Sequence, residues 1–125
     1  KTQMGWEIYP EGLELLLKSI YNDYTNEIPI MITENGMANE DVVSNDICDD
    51  PIRVKYFEDH LQAVIRCIAY GVPVKGFFGW SLLDNYEWAY GYEKRFGLVH
   101  VDYETQKRTP KASFKAFQKA ISGNQ

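Results

Sequence analysis

The stretch IPIMITENG, residues 28–36, is the strongest indication of the fold of this chain. Its apolar side chains, several of them β-branched, predict a short strand over 28–33 that is buried on both faces. Glu34 follows at once, and the next two residues, Asn-Gly, are a strong turn signal. A carboxylate at the end of a buried parallel strand faces the rim where α/β proteins keep their active sites. Glu34 is therefore either a functional acid or a residue that caps a turn or pairs with a base in solvent.

Amphipathic helices are predicted on both sides of this strand and at the end of the chain. Pro10 suits the first turn of a helix whose apolar residues recur at three- and four-residue spacing. Asp50, followed by a proline, predicts the N-cap of a second helix that ends at Gly71. Thr109 and Pro110 open a last helix. Residues 35–50 between these elements are polar and acidic and predict a long loop.

A second strand is predicted over residues 74–81, with a short extended piece over 97–103. The order helix, strand, helix, strand, helix predicts a parallel α/β arrangement. Two parallel strands leave sheet edges unpaired and need neighbours, with helices on both faces. The chain is therefore expected to be a segment of a larger barrel or sheet.

Composition excludes several classes of function. The chain has 125 residues, which is one domain or part of one, and a net charge of −5 gives no basic face for nucleic acid. No apolar run is long enough to span a bilayer. Cys48 and Cys67 are expected to be free thiols in a reducing compartment, which favours a cytoplasmic location. The chain begins with Lys1, so we expect its natural N-terminus to be missing.

Residue types that commonly carry other chemistries do not occur in the required patterns. His60 lies in a predicted helix and His100 in an extended piece, with no partner at metal-ligand spacing, so no metal site is expected. A glycine-rich phosphate loop is absent from the sequence, and Ser81 and Ser113 lack the context of a nucleophilic serine. We therefore expect no cofactor.

Carboxylates and tryptophans follow both predicted strands. Asp84 and Glu87 come after the second strand together with Trp80 and Trp88, and they converge with Glu34 if both strands end at one rim. Acceptor carboxylates with indole platforms suit a sugar, since hydroxyls donate to the acids and C–H faces stack on the rings. One carboxylate can act as a nucleophile and a second as acid/base. The alternative is that the acids cap turns and the rings fill core, and for Asp84 that alternative is favoured.

Several of these stretches resemble the signatures of glycoside hydrolase family 1, the β-glucosidase family of retaining enzymes on a (β/α)8 barrel. The resemblance runs from residue 4 to the last helix, and its motifs occur in the family's order. The matching stretches are MGWEIYPEGL (4–13), ITENG (32–36), GWSLLDNYEW (79–88) and KRFGLV (94–99).

The resemblance implies a role for each candidate residue. Glu34 matches the catalytic nucleophile at the end of the seventh barrel strand, and Trp80 matches the platform under the sugar. Glu87 matches the carboxylate that holds the 4- and 6-hydroxyls, Trp88 the indole beside the 3-hydroxyl, and Phe96 an aromatic lining of the same subsite. Branches of the family that act on 6-phosphorylated sugars typically replace this Glu. Because Glu87 would repel a phosphate dianion, an unphosphorylated β-glucoside, β-galactoside or β-fucoside is favoured.

Other family motifs do not occur in this sequence. The acid/base Glu lies in an Asn-Glu-Pro motif on the fourth strand of the family, and the sequence contains no such motif. The expected fold is thus α/β, the C-terminal part of a (β/α)8 TIM barrel with strands 7 and 8 and their helices, in which residues 1–125 form one segment of a single domain. We expect the isolated chain to be inactive and the N-terminal remainder, covalent or separate, to complete the enzyme. The alternatives are a sugar-binding segment without hydrolysis and a purely structural fragment.

Overall fold

The computed structural model describes residues 1–123. Helices and strands alternate along the chain, and short hairpins are added to this pattern. The helices are α1 (Pro10–Ile20), α2 (Pro51–Tyr70) and α3 (Ala112–Ser122), and the strands are β1 (Ile30–Asn35), β2 (Val43–Ser44), β3 (Ile47–Cys48), β4 (Val74–Gly79), β5 (Val99–Val101) and β6 (Arg108–Pro110). None of the helices in this range combines the length and the apolar character that a membrane crossing requires.

A parallel pair, β1 and β4, forms the centre of the fold. Ile30 pairs with Val74 at one end of the pair, and Asn35 pairs with Gly79 at the other. The helix α2 makes the crossover that a parallel connection needs. The predicted α/β arrangement is therefore confirmed, and residues 1–123 do not close into a barrel.

The observed strands differ from the predicted ranges. β1 begins at Ile30 rather than at residue 28, and it extends through Asn35. It extends because the Asn35 carbonyl accepts a hydrogen bond from the Trp80 N–H at 2.8 Å, which continues the ladder past Glu34. β4 ends at Gly79, before residue 81. Glu34 thus lies inside the strand, one residue before its end.

The helices α1 and α2 begin where proline was expected to start them. α1 begins at Pro10, and α2 begins at Pro51 and ends before Gly71, whose left-handed φ of 112° suits glycine. Asp50 is the N-cap residue of α2, as predicted, but its side chain makes no capping hydrogen bond to the backbone of that helix. Its carboxylate instead accepts hydrogen bonds from the Ser113 N–H at 2.8 Å and the Ser113 hydroxyl at 2.6 Å, at the start of α3.

The C-terminal third contains one strand, β6, that was not predicted from the sequence. The predicted extended piece over 97–103 contains β5, which pairs with β6 in an antiparallel hairpin, and His100 lies opposite Thr109. This pairing overrides the helix-start signal of the Thr-Pro dipeptide, so α3 begins two residues later, at Ala112. The loop over 35–50 likewise contains the small hairpin β2–β3.

The core consists of two apolar clusters on the helical side of the parallel pair. The first packs α1 and α2 against β1, and the second packs α2 and α3 against β4. The other side of β1 is open within residues 1–123: Met31 is 50% exposed, so the predicted burial on both faces is not observed there. The buried members of the clusters are Leu17, Ile32, Val64, Cys67 and Val72 in the first and Met37, Tyr56, Phe57 and Leu98 in the second.

Candidate active site

The ends of β1 and β4 meet at one rim because the two strands are parallel. The hydrogen bond from the Trp80 N–H to the Asn35 carbonyl joins the two chain segments directly. The Trp80 carbonyl oxygen occupies the space that a Cβ would need at Gly36. Gly36 is therefore required by this close approach, and its φ is not in the left-handed region that a turn glycine adopts.

An open pocket of about 390 Å³ lies at this rim. The five residues to which the family resemblance gives a role all line it, and they come from β1, from the end of β4 and from the loop between β4 and β5. The full lining is Trp6, Glu34, Asn35, Gly36, Tyr56, Trp80, Glu87, Trp88 and Phe96. The structure thus brings the candidate residues together in one place.

Trp6 and Tyr56 are lining residues that sequence reasoning missed. Trp6 comes from the N-terminal loop, and its ring centroid lies 6.0 Å from that of Phe96. Tyr56 comes from α2, and burial raises the pKa of its hydroxyl. The aromatic content of the N-terminal loop was a signal for Trp6. Tyr56 gave none, since an aromatic residue on a helix usually packs in the core.

Glu87 and Trp88 are presented by a tight loop. The Glu87 N–H donates to the Gly91 carbonyl at 2.7 Å, and the Glu87 carbonyl accepts from the Tyr90 N–H at 2.8 Å. Trp88 adopts φ 42°, a left-handed conformation that is uncommon for a bulky residue, and its side chain is 84% exposed. Such backbone strain clusters at ligand sites.

The pocket carboxylates are free to meet a ligand. Within residues 1–123, neither Glu34 nor Glu87 takes part in an ion pair. Trp80 and Trp88 add apolar ring surface beside them. Acceptor groups between aromatic rings are suited to a polyhydroxylated ring compound.

Asp84, by contrast, is fully buried and points away from the pocket lining. Its carboxylate accepts from Arg95 at 2.6 Å, Lys111 at 2.9 Å, the Gly97 N–H at 2.9 Å and the Val101 N–H at 3.3 Å. The prediction that Asp84 holds the backbone instead of a ligand is confirmed.

Asp84 belongs to a group of connected, largely buried ion pairs outside the pocket lining, which we call the ionic seam. Arg53 is its centre: it donates to Asp41 and Asp50 and to the carbonyls of Met37 and Arg95. Burial alone would raise the pKa of the Asp41 carboxyl, but the hydrogen bonds and charges of Arg53 and Lys111 outweigh burial and hold that pKa below its usual value. The seam consists of Asp41, Asp50, Arg53, Asp84, Arg95 and Lys111.

Histidines and cysteines form no second site in the described part of the chain. His60 stacks on Tyr56 with ring centroids 3.9 Å apart, and its Nδ1 lies 2.7 Å from the Tyr56 carbonyl oxygen. Burial lowers the pKa of His60, which is consistent with a packing role. Cys48 and Cys67 are free thiols, as predicted, and both are buried. No group of residues in the range 1–123 has the geometry to hold a metal ion.

Comparison with known proteins shows the family of this chain. The model of glycosyl hydrolase family 1 matches residues 1–125. The chain belongs to family 1. It is 50% identical over 125 residues to Beta-glucosidase A of Thermotoga maritima, an alignment that covers 99% of this chain and 28% of the relative. It is also 45% identical over 113 residues to the 6-phospho-beta-galactosidase of Leptotrichia buccalis, covering 90% of this chain and 24% of the relative.

Solved structures of family 1 proteins have the same fold. The crystal structure of the psychrophilic beta-glucosidase BglU from Micrococcus antarcticus superposes with a TM-score of 0.94 at 53% identity, covering 98% of this chain and 26% of the other. The Thermotoga maritima beta-glucosidase in complex with deoxynojirimycin gives a TM-score of 0.95, covering 98% and 28%. The chain thus spans about a quarter of the length of these relatives. Its fold is the corresponding α/β part of a family 1 (β/α)8 barrel.

Proposed function

We propose that this chain is the C-terminal segment of a retaining β-glycosidase, with β1 and β4 as the seventh and eighth strands of its barrel. The complete enzyme hydrolyses terminal non-reducing β-D-glucosyl, β-galactosyl or β-fucosyl residues. One observation carries the proposal: a family 1 chain presents Glu34 and Glu87 with two indole rings around a single pocket at the strand ends.

In the proposed mechanism Glu34 attacks the anomeric carbon, the glycosidic bond breaks, and a covalent glycosyl-enzyme forms. Water then attacks the same carbon and releases Glu34, so the configuration is retained. Glu34 suits this role because it is exposed at the pocket and takes part in no ion pair within residues 1–123. A carboxylate already engaged by a cation would be a poorer nucleophile.

The remaining pocket residues hold the glycone. Trp80 stacks under the sugar ring, Glu87 accepts hydrogen bonds from the 4- and 6-hydroxyls, and Trp88 donates its indole N–H beside the 3-hydroxyl. Phe96 lines the same subsite; it is buried, and its ring centroid lies 6.0 Å from that of Trp6. Glu87 disfavours a 6-phosphate, because like charges repel in a partly buried site. An unphosphorylated glycoside is therefore the proposed substrate.

The N-terminal remainder of the barrel is the proposed partner, and it supplies the acid/base carboxyl. A retaining enzyme needs two carboxyl groups about 5–5.5 Å apart. The Asn-Glu-Pro motif that would carry the second group does not occur in this sequence. The isolated chain therefore should not turn over glycosides, and the two buried thiols favour a reducing, cytoplasmic setting for the complete protein.

The test uses the full-length protein that carries this chain. Glu34→Ala should lower kcat on an aryl β-glucoside by about 10⁴-fold, since the covalent route is lost. Added azide should restore turnover and give the α-glycosyl azide, because a small anion then attacks from the side that the carboxylate has vacated. Glu40→Gln is the matched control, since Glu40 is an exposed acid of the next loop and should leave kcat unchanged. A Glu34→Ala enzyme with the parent's kcat would refute the proposal.

A further inference from the structure

Lys111 precedes α3 and lies outside the pocket lining, but its ammonium joins the two loops that build the pocket. Its Nζ donates to Asp41 at 2.5 Å and to Asp84 at 2.9 Å. All three side chains have 0% exposure. Asp41 follows β1, the strand of Glu34, whereas Asp84 follows β4 and precedes Glu87 by three residues.

On the β1 side, Asp41 is fixed to the segment that follows Glu34. Arg53 donates to both carboxylate oxygens of Asp41, at 3.0 and 2.8 Å, and also to the Met37 carbonyl at 3.3 Å. The Asn39 N–H donates to the Arg95 carbonyl at 3.2 Å. The path from Glu34 to Asp41 is therefore held at several backbone positions.

On the β4 side, Asp84 is fixed to the segment that carries Phe96. Asp84 accepts from two backbone N–H groups that follow Phe96, those of Gly97 and Val101. The Ser81 N–H donates to the Phe96 carbonyl at 3.2 Å. A Cβ at Gly97 would collide with the backbone of Leu83 and Asp84, so these two segments lie in direct contact.

Charge balance makes the ammonium hard to replace. The seam holds three carboxylates and three cations, all in ion pairs with each other. Without Lys111, three buried carboxylates would face two guanidinium groups. A buried charge is costly without a partner. The loops would therefore separate, water would enter between them, or one of the carboxylates would take up a proton.

We propose that Lys111 is a positioning residue of the glycosidase site, setting the placement of Glu87 and Trp88 relative to Glu34. It touches no substrate and acts through Asp41 and Asp84. This inference rests on the proposed function, because the residues that Lys111 is proposed to position are those of the proposed reaction. A misplacement of about 1 Å costs about 10²-fold in rate.

The test compares Lys111→Met with Lys107→Met in the full-length protein. Lys107 also pairs with an aspartate of a distant loop, Asp46, but both side chains are exposed. Lys111→Met should lower kcat/KM on an aryl β-glucoside by about 10- to 100-fold. It should also weaken the affinity for deoxynojirimycin by about 10-fold, measured by tryptophan fluorescence. Lys107→Met should change both by less than about twofold.

A charge-balanced double variant separates positioning from stability. Lys111→Met with Asp41→Asn leaves two carboxylates facing two guanidinium groups, so the melting temperature should recover towards the parent's. The tie between the loops is still missing, so kcat/KM and inhibitor affinity should stay low. Recovery of activity together with the melting temperature would overturn the proposal, since stability alone would then explain the loss.

Asp41→Asn alone keeps the test decisive if Lys111→Met does not fold. It preserves the shape of the side chain and weakens its bond to the ammonium, so kcat/KM should fall by about 10-fold. A folded variant of either kind with the parent's kcat/KM and inhibitor affinity would contradict the inference. Failure of the proposed function would look different: Glu34→Ala would then keep the parent's rate, whatever Lys111→Met does.

Discussion

Asp84 and Glu87 are acidic residues of one loop, and the structure gives them different surroundings. Asp84 is buried in the ionic seam and accepts from two cations and two backbone N–H groups. Glu87 lines the open pocket and takes part in no ion pair within residues 1–123. A carboxylate whose acceptor sites are filled by the protein stabilises the fold, whereas one that faces a pocket remains available to a ligand.

The same contrast holds for the two regions as wholes. The seam is buried and charge-balanced, and its contacts join parts of the chain up to 70 residues apart. The pocket is exposed, aromatic and acidic, with Trp88 84% exposed. Substitutions in the seam should therefore lower the stability of the protein, whereas substitutions in the pocket should lower activity and leave stability near that of the parent.

The largest effect is expected in the seam, at Arg53. Arg53→Met would leave Asp41 and Asp50 without their main partner, and removing one member of a buried ion pair costs about 3–5 kcal/mol. The free energy of unfolding of the full-length protein, measured by urea denaturation, should fall by about that amount. Lys55→Met is the control, because its pair with Asp59 is exposed and should not measurably affect stability. Equal urea midpoints for Arg53→Met and Lys55→Met would contradict the expectation that the buried ion pairs contribute more to stability than the exposed pair.

A second effect is expected in the pocket, at Glu87. Glu87→Gln should lower kcat/KM on an aryl β-glucoside by about 10²-fold, because charge-assisted hydrogen bonds to the sugar are lost. Its melting temperature should stay near the parent's, whereas Asp84→Asn should lower the melting temperature. The rate on a 6-phosphoglucoside, relative to the glucoside, should rise in Glu87→Gln since the repulsion of the dianion is removed. A large loss of stability in Glu87→Gln would contradict this prediction, because it would mean that Glu87 stabilises the fold as the residues of the ionic seam do.

The smallest effect is expected at His60, which stacks on Tyr56 of the pocket lining. Burial lowers the pKa of His60 below its ordinary value of 6.5, so the unfolded state binds more protons between the two pKa values. Stability should thus decrease as the pH falls from about 7.5 to about 5.5. His60→Gln should flatten this dependence in the melting temperature. An unchanged slope would mean that His60 is not the group responsible.

More of the pocket than of the ionic seam could be predicted from the sequence. Glu34 and the 79–88 segment follow predicted strands, and the carboxyl ends of parallel strands meet at one rim, so local pattern was enough to bring them together. Asp41 and Lys111 gave no such signal. Their contact depends on tertiary packing, and each alone resembles a solvated surface charge.

The turn signal at Gly36 and the cap signal at Asp50 marked the correct positions in the chain. They did not reveal the contacts that these two residues make. Gly36 was predicted as a turn glycine, but the Trp80 carbonyl excludes a side chain there. Asp50 is the N-cap residue of α2, as predicted, but its carboxylate binds Ser113 at the start of α3 and not the backbone of α2. In both cases a partner distant in sequence determines the role of the residue, and no local pattern reports on such a partner.

The role of Glu34 as nucleophile can be measured directly in the full-length protein. A 2-deoxy-2-fluoro-β-glucoside with a good leaving group should inactivate the enzyme, because the fluorine slows hydrolysis of the glycosyl-enzyme more than its formation. Peptide mass spectrometry should then find the sugar on the peptide that contains Glu34, attached to that residue. An active enzyme that carries the label on any other carboxylate, or is inactivated with the Glu34 peptide unmodified, would contradict the assignment.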